Sequence, residues 1–275
     1  MQIIKKLWNT SPKNVYAALM NRLSPTKIQP SWTGVEAGPF KGGQLYIDAQ
    51  SFSGWKDMIH GRFDSFIYEE LKTERALDGA VFWDIGAHFG YHTFSFASLV
   101  GDKGHVFSFE PNPFNATRFK MHLDKNPQQA KRITLVPVAL SDTDGEVRFV
   151  FSDDVDGSSS SGSHLVDAKV PLSAETYVSF KNIDVETAKI DTFLKRPGIK
   201  APDVMKIDVE GAEMLVLRGA TEFFKTHKPI IFMEVHNISL MHQVQNFLVD
   251  QGYALKLLDE SNSTLSKCFI KARPV

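Results

Sequence analysis

The chain has 275 residues, of which 43% are hydrophobic and 23% are charged, so it has enough apolar material for one large core or for two small domains. Its 31 basic and 32 acidic residues give a net charge of −1. This balance disfavours a protein whose main ligand is nucleic acid, because phosphate binding normally requires a basic excess. The single cysteine, Cys268, excludes an intrachain disulfide and a zinc site built from several cysteines.

The N-terminal segment is basic: five of the 31 basic residues and none of the 32 acidic ones precede Glu36. Ser11 and Pro12 predict the start of a helix, and apolar residues follow at helical spacing. Two interpretations of residues 1–30 stay open. They form an amphipathic arm that contacts an anionic membrane or a phosphate-bearing partner, or they pack on their own domain or on a second subunit, which is the more common arrangement. The segment lacks the apolar stretch of a secretory signal, and no apolar run is long enough to span a bilayer, so we expect a cytoplasmic protein.

The region from residue 34 to residue 61 is rich in glycine and aromatic residues. Gln44–Asp48 alternates as a strand does, which predicts a small layer leading into the main domain. We therefore divide the chain into residues 1–60, the basic helix and lead-in layer, and residues 61–275, the main domain. Trp32, Tyr46 and Trp55 either form a small core or offer a platform to a sugar ring.

From residue 80 onward, short apolar runs alternate with helical patterns, which is typical of parallel strands joined by crossover helices. The predicted strands are Val81–Ile85, Val106–Glu110, Ile133–Val138, Val204–Asp208, Ile230–Val235, Ala254–Leu258 and Cys268–Ala272. The predicted helices are Phe66–Leu77, Tyr91–Val100, Asn112–Lys125, Ala212–Lys225 and Ser239–Gln251. We expect an α/β fold with a doubly wound sheet, which binds its ligands at the carboxyl ends of the strands. His105, His122 and His227 are expected at the surface.

The stretch between Leu140 and Pro202 interrupts this alternation. Glu146–Phe151 predicts a hairpin strand, and a flexible loop follows over about residues 152–168, where four consecutive serines occur. Long loops in compact domains are often functional, so this loop is either a lid over a substrate or a solvated connection.

The most specific local motif is Asp84–Tyr91, where an apolar strand ends in an acid and two glycines flank a turn into a helix. The motif lacks the Gly-x-Gly-x-x-Gly spacing that places a pyrophosphate on a helix N-terminus, which disfavours a nicotinamide-dependent enzyme. Gly86 and Gly90 allow a ligand to approach the backbone closely, and the negative charge of Asp84 favours a ligand that carries a cation or an amine.

A second acid, Glu110, ends the next predicted strand. Glu110 lies 24 residues after Gly86 of the glycine loop, which we define as residues 86–90. In nucleotide-binding sheets, an acid about 20 residues beyond the glycine loop accepts hydrogen bonds from ribose hydroxyls. The two motifs together indicate a nucleoside ligand without a pyrophosphate, and S-adenosylmethionine fits that description.

Four motifs, in this order, resemble the FkbM family of S-adenosylmethionine-dependent methyltransferases: Asp84–Tyr91, Phe109–Asn112, Ala139–Glu146 and Lys206–Glu213. The resemblance covers about residues 60 to 240. It implies the class I methyltransferase fold, a Rossmann-like doubly wound sheet of seven strands with the last strand antiparallel, and O-methylation of hydroxyls. The chain departs from the family at His88, where Asn is usual, and at Gly61–Asp64, where the corresponding turn more often ends in Tyr-Glu.

The resemblance also implies roles for individual residues. The glycine loop lies beneath the methionine part of the cofactor, Glu110 holds the ribose, and Ser141 and Asp142 lie near the adenine edge. His92 and Thr93 begin the following helix and are candidates for the cofactor carboxylate. The predicted cofactor-binding residues are Asp84, Gly86, His88, Gly90, His92, Thr93, Glu110, Asn112, Ser141 and Asp142.

Polar residues also follow the fourth and fifth predicted strands, which are expected to be neighbours: Asp208, Glu210, Glu234 and His236. Two mechanisms stay open for them. In the first, His236 or Asp208 removes the proton of an acceptor hydroxyl, and Glu210 is a further catalytic candidate. In the second, a divalent metal ion bound to the protein lowers the pKa of that hydroxyl. The predicted metal ligands are Asp208, Glu234 and His236, by analogy with the similar catechol O-methyltransferases. Glu210 and Glu213 alternatively cap the next helix, since acids favour the first turn.

The sequence thus predicts an S-adenosylmethionine-dependent O-methyltransferase that acts on a hydroxyl of a carbohydrate, a glycolipid precursor or a secondary metabolite. The acceptor class follows from the resemblance alone. The alternative is a non-catalytic module of the same fold that binds a membrane or a partner through its basic arm.

Overall fold

The computed structural model describes residues 30–48, 53–74, 77–152, 164–165, 180–258 and 267–275. The helix predicted from Ser11 and most of the loop predicted over about residues 152–168 lie outside the described residues. These two features therefore stay predictions.

The described residues form thirteen strands and nine helices. The strands are β1 Ser31–Gly34, β2 Gln44–Ile47, β3 Val81–Ile85, β4 His105–Phe109, β5 Ile133–Val136, β6 Ala139–Leu140, β7 Gly145–Ser152, β8 His164–Leu165, β9 Phe180–Ala188, β10 Val204–Ile207, β11 Ile230–Val235, β12 Tyr253–Leu258 and β13 Cys268–Pro274. The helices are α1 Ser53–Ile59, α2 Ser65–Lys72, α3 Tyr91–Leu99, α4 Pro113–Lys125, α5 Pro127–Ala130, α6 Ile190–Phe193, α7 Glu213–Arg218, α8 Phe223–Thr226 and α9 Ile238–Asp250.

The main sheet has seven strands in the order β12-β13-β11-β10-β3-β4-β5. The central pairs from β11 to β5 are parallel, whereas β13 is antiparallel to both β11 and β12. This is the strand order of the class I methyltransferase fold, in which the last strand is inserted antiparallel beside the fifth. The predicted fold class and the seven predicted strands are confirmed.

Hydrophobic side chains cover both faces of this sheet, because its central strands are buried on both sides. All five residues of β3 are buried, and successive side chains point to opposite faces. Trp83 packs in the core that includes residues of α6 to α9, and Phe82 packs in the core that includes residues of α3, α4 and the lead-in layer. The carboxyl ends of the central strands are thereby fixed from both sides.

Two predicted helices differ from those observed. The predicted helix Ala212–Lys225 is wrong, because the chain forms the two short helices α7 and α8. The carboxylate of Asp191 accepts hydrogen bonds from two backbone N–H groups at the start of α8, at 2.7 and 3.0 Å, and so begins a new helix. The predicted helix Phe66–Leu77 ends earlier, at Lys72, where the hydroxyl of Thr73 binds a carbonyl oxygen of the last turn.

A second sheet of four strands, in the order β6-β9-β7-β8, fills the interruption between β5 and β10. The predicted hairpin strand is confirmed as β7, which pairs antiparallel with β9 from Gly145 to Ser152. Strands β6, β8 and β9 were not predicted from the sequence. This sheet brings β6 and β7 to the carboxyl edge of the main sheet, where they contribute to the site described below.

The lead-in layer is joined to the main domain through partly buried hydrogen bonds. The backbone N–H of Tyr46 in β2 donates to Nε2 of His122 at 2.9 Å, and Asn126 exchanges hydrogen bonds with the backbone of Gln44 at 2.8 and 2.9 Å. The expectation of a surface position for His122 is wrong: its side chain is fully buried, and because Nε2 accepts, Nδ1 donates to the carbonyl of Phe89 at 2.9 Å. The lead-in layer and the sheet therefore share one core.

No helix in the described ranges combines the length and apolar character needed to cross a membrane. The longest of them, α4 and α9, have 13 residues each.

Candidate active site

A cavity of about 410 Å³ lies at the carboxyl ends of β3, β4, β10 and β11. The loops after these strands form its floor, and residues of α1, α3, β6 and β7 form its walls. Its volume is in the range typical of sites for small molecules and cofactors. Its position is the one predicted for a doubly wound sheet.

The glycine loop after β3 is packed directly against the loop after β10. Gly86 has φ of 81°, and a Cβ atom there would lie 1.8 Å from the carbonyl oxygen of Asp208. Gly90, with φ of 99°, precedes α3, and a Cβ atom there would lie 2.8 Å from the ring of Phe119. Both positions need glycine for conformation and for space, so this packing fixes the cavity floor.

Glu110 is held by three amide donors. Its Oε2 accepts from the backbone N–H of His88 at 2.7 Å, and its Oε1 accepts from the backbone N–H of Asn112 at 2.9 Å and from the side chain of Asn115 at 3.3 Å. Burial raises the pKa of Glu110 to about 7, although these hydrogen bonds oppose the shift. Burial lowers the pKa of His88 to about 3, with a contribution from Arg118, so the His88 imidazole is neutral at physiological pH.

Asp84 lies below the floor, out of contact with the cavity. It is fully buried, its Oδ2 accepts from the hydroxyl of Thr93 at 2.5 Å, and its Oδ1 lies 3.6 Å from Nζ of Lys206. Lys206 also lies 3.2 Å from Oδ2 of Asp208. Burial disfavours the charged lysine, but the carboxylates of Asp208 and Asp84 outweigh burial and raise the pKa of Lys206. Lys206 therefore stays charged and links the ends of β3 and β10.

His236, directly after β11, faces a group of carboxylates. Its Nε2 lies 3.4 Å from Oε2 of Glu210, 3.7 Å from Oδ1 of Asp208 and 3.8 Å from Oε1 of Glu234. Its Nδ1 forms a hydrogen bond of 2.5 Å with Oε1 of Glu213, and Glu213 is fully buried. One ring nitrogen is thus fixed by a buried acid, and the other points to the acids of the cavity wall.

The charges of this cluster shift one another's pKa values. Burial opposes charge on His236, but the hydrogen bond to Glu213 and the charges of Glu210 and Asp208 outweigh it and raise its pKa to about 10. Burial also opposes charge on Asp208, but Lys206 and His236 lower its pKa to about 2. Burial raises the pKa of Glu210 to about 8. The cluster is a strong acceptor for a proton or another cation.

Glu213 has two partners. Its Oε1 accepts from the backbone N–H of Gly211 at 3.0 Å, a local bond at the start of α7, and also holds His236. The sequence predicted that Glu213 caps the next helix, and only its contact with Gly211 corresponds to that prediction. Its second contact joins residues 23 positions apart and was not predicted.

Comparison with known proteins places this site in a family. Residues 84–255, more than half of the chain, match the model of the methyltransferase FkbM domain. The chain belongs to the FkbM methyltransferase domain family. The resemblance identified from the four sequence motifs is confirmed. Most residues that line the cavity belong to the FkbM domain; Trp55, Met58 and Phe63 precede the domain and Lys267 follows it.

Two curated relatives carry named activities. The chain is 29% identical over 168 residues to the hexuronic acid methyltransferase AglP of Haloferax volcanii, covering 60% of each protein. It is 34% identical over 147 residues to the 2-O-methyltransferase NoeI of Sinorhizobium fredii, covering 52% of this chain and 58% of that protein. The chain thus matches about three fifths of the length of each relative. A solved structure of a methyltransferase FkbM from Methylobacillus flagellatus KT has 16% identity and a TM-score of 0.49, covering 79% of this chain and 53% of that one.

Most of the residues predicted from the sequence to form the site surround the cavity of the FkbM domain. Eight line the wall: Gly86, His88, His92, Glu110, Asp208, Glu210, Glu234 and His236. Six are not among the residues that line it: Asp84, Gly90, Thr93, Asn112, Ser141 and Asp142. Of these six, Asn112 caps α4 through its Oδ1, and the backbone N–H of Ser141 donates to Ala188. Their predicted part in cofactor binding stays a prediction.

The cavity wall also contains residues that were not predicted from the sequence, some of them outside the FkbM domain. Trp55, Phe63, Tyr91 and Phe149 add aromatic surface, and Lys267 forms an ion pair with Glu234. Trp55 is only 2% exposed and so belongs to the small core as well as to the wall. Phe149 is on β7, a strand of the inserted sheet, and nothing in the local sequence shows that this sheet reaches the cavity.

The proposed metal ligands do converge. One donor atom each from Asp208, Glu234 and His236 lies within 4.8 Å of the others. The carboxylate of Glu213 on the second ring nitrogen of His236 resembles the hydrogen bond that orients metal-bound histidines. Asp208 and Glu234 also have lysine partners, so a metal ion would compete with Lys206 and Lys267.

Proposed function

We propose that this chain is an S-adenosylmethionine-dependent O-methyltransferase that methylates a hydroxyl group of a sugar. Its membership of the FkbM methyltransferase domain family and the cavity at the strand ends support the reaction class. The name of the relative AglP supports a sugar as the acceptor, and the name of NoeI supports transfer to an oxygen atom. The observation that carries the proposal is the contact of His236 with Glu213 behind it and with three cavity-wall acids in front of it.

The residues around the glycine loop suit the nucleoside part of this cofactor. An ionised carboxylate has about four acceptor positions, and the three amide donors on Glu110 leave capacity for a hydroxyl donor from a ribose. Gly86 brings the backbone of two loops together without a side chain between them. When bound, S-adenosylmethionine supplies an electrophilic methyl group on a positively charged sulfur.

His236 is the group that we assign to proton removal. Its Nε2 is on the cavity wall, and its Nδ1 is held by Glu213, so the ring has one fixed orientation. Glu213 stabilises the imidazolium that forms when Nε2 accepts the proton of the acceptor hydroxyl. The acids around His236 raise its pKa to about 10, so the ring is protonated at neutral pH before the cofactor binds. The positive sulfur of S-adenosylmethionine opposes this charge and lowers the pKa of His236, and Nε2 must release its proton before it acts as the base.

The same geometry favours a hydroxyl acceptor over a carboxylate. A sugar carboxylate is already deprotonated at neutral pH and needs no base, whereas a hydroxyl must lose its proton as the new carbon–oxygen bond forms. Carboxylate side chains such as Asp208 and Glu210 accept hydrogen bonds from sugar hydroxyls but repel a sugar carboxylate near the reacting atom. We therefore propose an ether product.

Methyl transfer to model sugars tests the reaction. The full chain is incubated with methyl-labelled S-adenosylmethionine and with p-nitrophenyl glucuronide or p-nitrophenyl glucoside. We expect a labelled product that survives mild alkali, as a methyl ether does. His236→Ala should lower kcat by roughly a hundredfold or more while leaving the affinity for S-adenosylhomocysteine unchanged. A label released by alkali would identify a methyl ester and reject the hydroxyl acceptor.

Calorimetric titration with S-adenosylhomocysteine tests the cofactor separately. The wild type should bind it, and Glu110→Ala should weaken binding because the ribose hydroxyls lose their acceptor. Absence of binding by the wild type would reject the proposed cofactor. Binding unaffected by Glu110→Ala would reject the proposed role of Glu110.

A bound divalent metal is a second mechanism, favoured by the convergence of Asp208, Glu234 and His236. These residues would hold the ion, which would lower the pKa of an acceptor hydroxyl bound to it. On this mechanism a chelator abolishes transfer, a divalent ion restores it, and calorimetry with Mn²⁺ shows binding that His236→Ala removes. Full activity in the chelator would reject the metal mechanism and leave His236 as the base.

The basic segment of residues 1–30 is the basis of a separate proposal, peripheral contact with an anionic membrane surface. The full chain should then sediment with vesicles that contain phosphatidylserine, and the chain starting at residue 30 should not. Added salt should weaken the contact, because exposed charges are screened. Equal sedimentation of the two chains would reject this proposal.

A further inference from the structure

Asp64, His92 and Tyr68 form a hydrogen-bonded chain beside the cavity. Oδ2 of Asp64 lies 3.1 Å from Nε2 of His92, and the hydroxyl of Tyr68 lies 2.8 Å from Nδ1. An ionised carboxylate can only accept, so Nε2 of a neutral His92 carries the hydrogen and the hydroxyl of Tyr68 donates to Nδ1. His92 and Tyr68 are almost fully buried, which fixes the imidazole that holds Asp64.

The backbone of Asp64 is unusual for an aspartate before a helix. It occupies the N-cap position of α2, where an aspartate side chain normally accepts from the N–H groups of its own helix, but here the side chain makes no such bond. Its φ of 46° and ψ of 36° are left-handed, and in the described part of the chain only His88 and Glu210 share this feature among non-glycine residues. Both of those residues line the cavity, and strained backbone tends to cluster at functional sites.

The turn that contains Asp64 is adjacent to the α3 side of the cavity. Phe63, the preceding residue, lines the wall together with Tyr91 and His92. The charge of Asp64 acts electrostatically on Lys206 and on Lys267, which also line the cavity. The side chain of Asp64 is 23% exposed, whereas Asp84 is sealed below the floor. Asp64 is not itself one of the lining residues, but it follows Phe63 and contacts His92, which both are, so its partly exposed negative charge lies directly beside this wall.

We propose that Asp64, oriented by His92 and Tyr68, binds the ammonium group at the amino-acid end of S-adenosylmethionine. This inference rests on the proposed function and deepens it by assigning a binding residue. The ammonium carries three donors and a positive charge, and its hydrogen bond to a carboxylate is among the stronger polar contacts. Glu110 serves the ribose at the end of β4, and Asp64 serves the ammonium on the side of α3.

Calorimetry with two ligands tests this assignment on the full chain. The ligands are S-adenosylhomocysteine and its desamino analogue, which keeps the carboxylate and lacks only the ammonium group. In the wild type the analogue should bind roughly tenfold more weakly, as expected for loss of one charge-assisted hydrogen bond. In Asp64→Asn the affinity for S-adenosylhomocysteine should fall by a similar factor, and the two ligands should then bind almost equally. The comparison isolates the contact between Asp64 and the ammonium.

Asp57→Asn is the matched control. Asp57 lies on α1, is 43% exposed and pairs with Arg62, so its substitution removes one negative charge nearby without touching His92. The ratio of the two affinities should stay at the wild-type value in this variant. Thermal unfolding of all three proteins checks that the variants are folded.

Three outcomes would reject either the assignment of Asp64 to the ammonium group or the proposed function itself. An unchanged ratio of affinities in Asp64→Asn would overturn the assignment while the proposed function stands. Equal affinities of the wild type for the two ligands would also overturn it, and this result needs no variant to fold. Failure of the wild type to bind S-adenosylhomocysteine would instead reject the proposed function.

Discussion

Glu110 combines two opposing influences on one carboxyl group. Three amide donors favour its ionised form, yet burial outweighs them and raises its pKa to about 7. A ligand that donates hydroxyl hydrogens to Glu110 binds the ionised form, because a carboxylate accepts more hydrogen bonds than a carboxylic acid. The protonation of this side chain is therefore coupled to ligand binding in the physiological range.

We expect the affinity for S-adenosylhomocysteine to fall as pH decreases through 7. With a pKa of about 7, Glu110 is roughly nine-tenths ionised at pH 8 and one-tenth ionised at pH 6, so binding should weaken by roughly tenfold between these values. Calorimetric titrations at the two pH values measure the change. In Glu110→Gln the dependence should disappear, since the amide does not titrate. A dependence that persists in this variant would assign the titration to another group.

Lys206 balances two buried carboxylates. It lies 3.6 Å from Asp84 and 3.2 Å from Asp208, and its side chain is 2% exposed. Lys206→Met should reduce the free energy of unfolding by about 3–5 kcal/mol, because it leaves buried acids without their counter-charge. Lys72→Met is the control, since Lys72 pairs with Glu69 at the surface and such pairs contribute at most about 1 kcal/mol. Urea unfolding of both variants tests this difference, and equal losses would contradict it.

At the residue scale, the sequence predicted which acids lie together at the cavity, but it did not predict the contacts that each of them makes. Asp208, Glu210, Glu234 and His236 each follow an apolar run, and parallel strands bring such positions to one edge. The contact of Glu213 with His236 depends on how far α7 is rotated relative to β11, which local spacing does not determine.

Among the elements, the loops after β3 and β10 depend on each other for their conformation. A Cβ atom at Gly86 would lie 1.8 Å from a backbone carbonyl oxygen of the β10 loop, whereas Gly42 has nothing within 4 Å of its hypothetical Cβ. The two glycines have nearly the same φ, 81° and 86°. Substitution of both glycines by alanine therefore distinguishes the stability cost of a left-handed backbone from the added cost of a steric clash.

We expect Gly42→Ala to cost about 1–2 kcal/mol, the penalty of a left-handed alanine. Gly86→Ala should cost several kcal/mol more, because the loop after β10 must also move. Thermal or urea unfolding gives both values, and binding of S-adenosylhomocysteine should weaken in Gly86→Ala only. Similar losses of stability in the two variants would show that the close approach of the two loops is not important for stability.

The elements also show where sequence patterns succeed and fail. Strands of the main sheet were predicted to within two residues at each end because buried parallel strands are continuous apolar runs. The predicted helix Ala212–Lys225 failed at Gly219, where a Cβ atom would lie 1.9 Å from the carbonyl oxygen of Ser141. Strand β9 was missed because its polar alternate residues, such as Asp184 and Glu186, are typical of a surface segment and its partner strand is distant in sequence.

For the whole molecule, the division at residue 60 separates segments that share a core. Leu45, Ile47 and Trp55 of the lead-in layer belong to the same hydrophobic cluster as Phe82 and Phe94 of the main domain. Hydrogen bonds from β2 to α4 cross the same boundary. Removing the layer would remove Phe40, whose ring stacks on Phe94 at a centroid distance of 5.0 Å, and would expose part of this shared core.

Two truncated chains test this dependence. The chain of residues 30–275 keeps every described contact of the core, so it should unfold cooperatively and bind S-adenosylhomocysteine as the full chain does. The chain of residues 61–275 loses the buried side chains of Leu45, Ile47 and Trp55 and the contact of Phe40 with Phe94. Burial of side chains of this size contributes roughly 1.5–3 kcal/mol each, so we expect this chain to be unfolded or aggregated. Circular dichroism and calorimetry distinguish these states. A stable, ligand-binding chain of residues 61–275 would show that the lead-in layer is an independent addition to the methyltransferase fold.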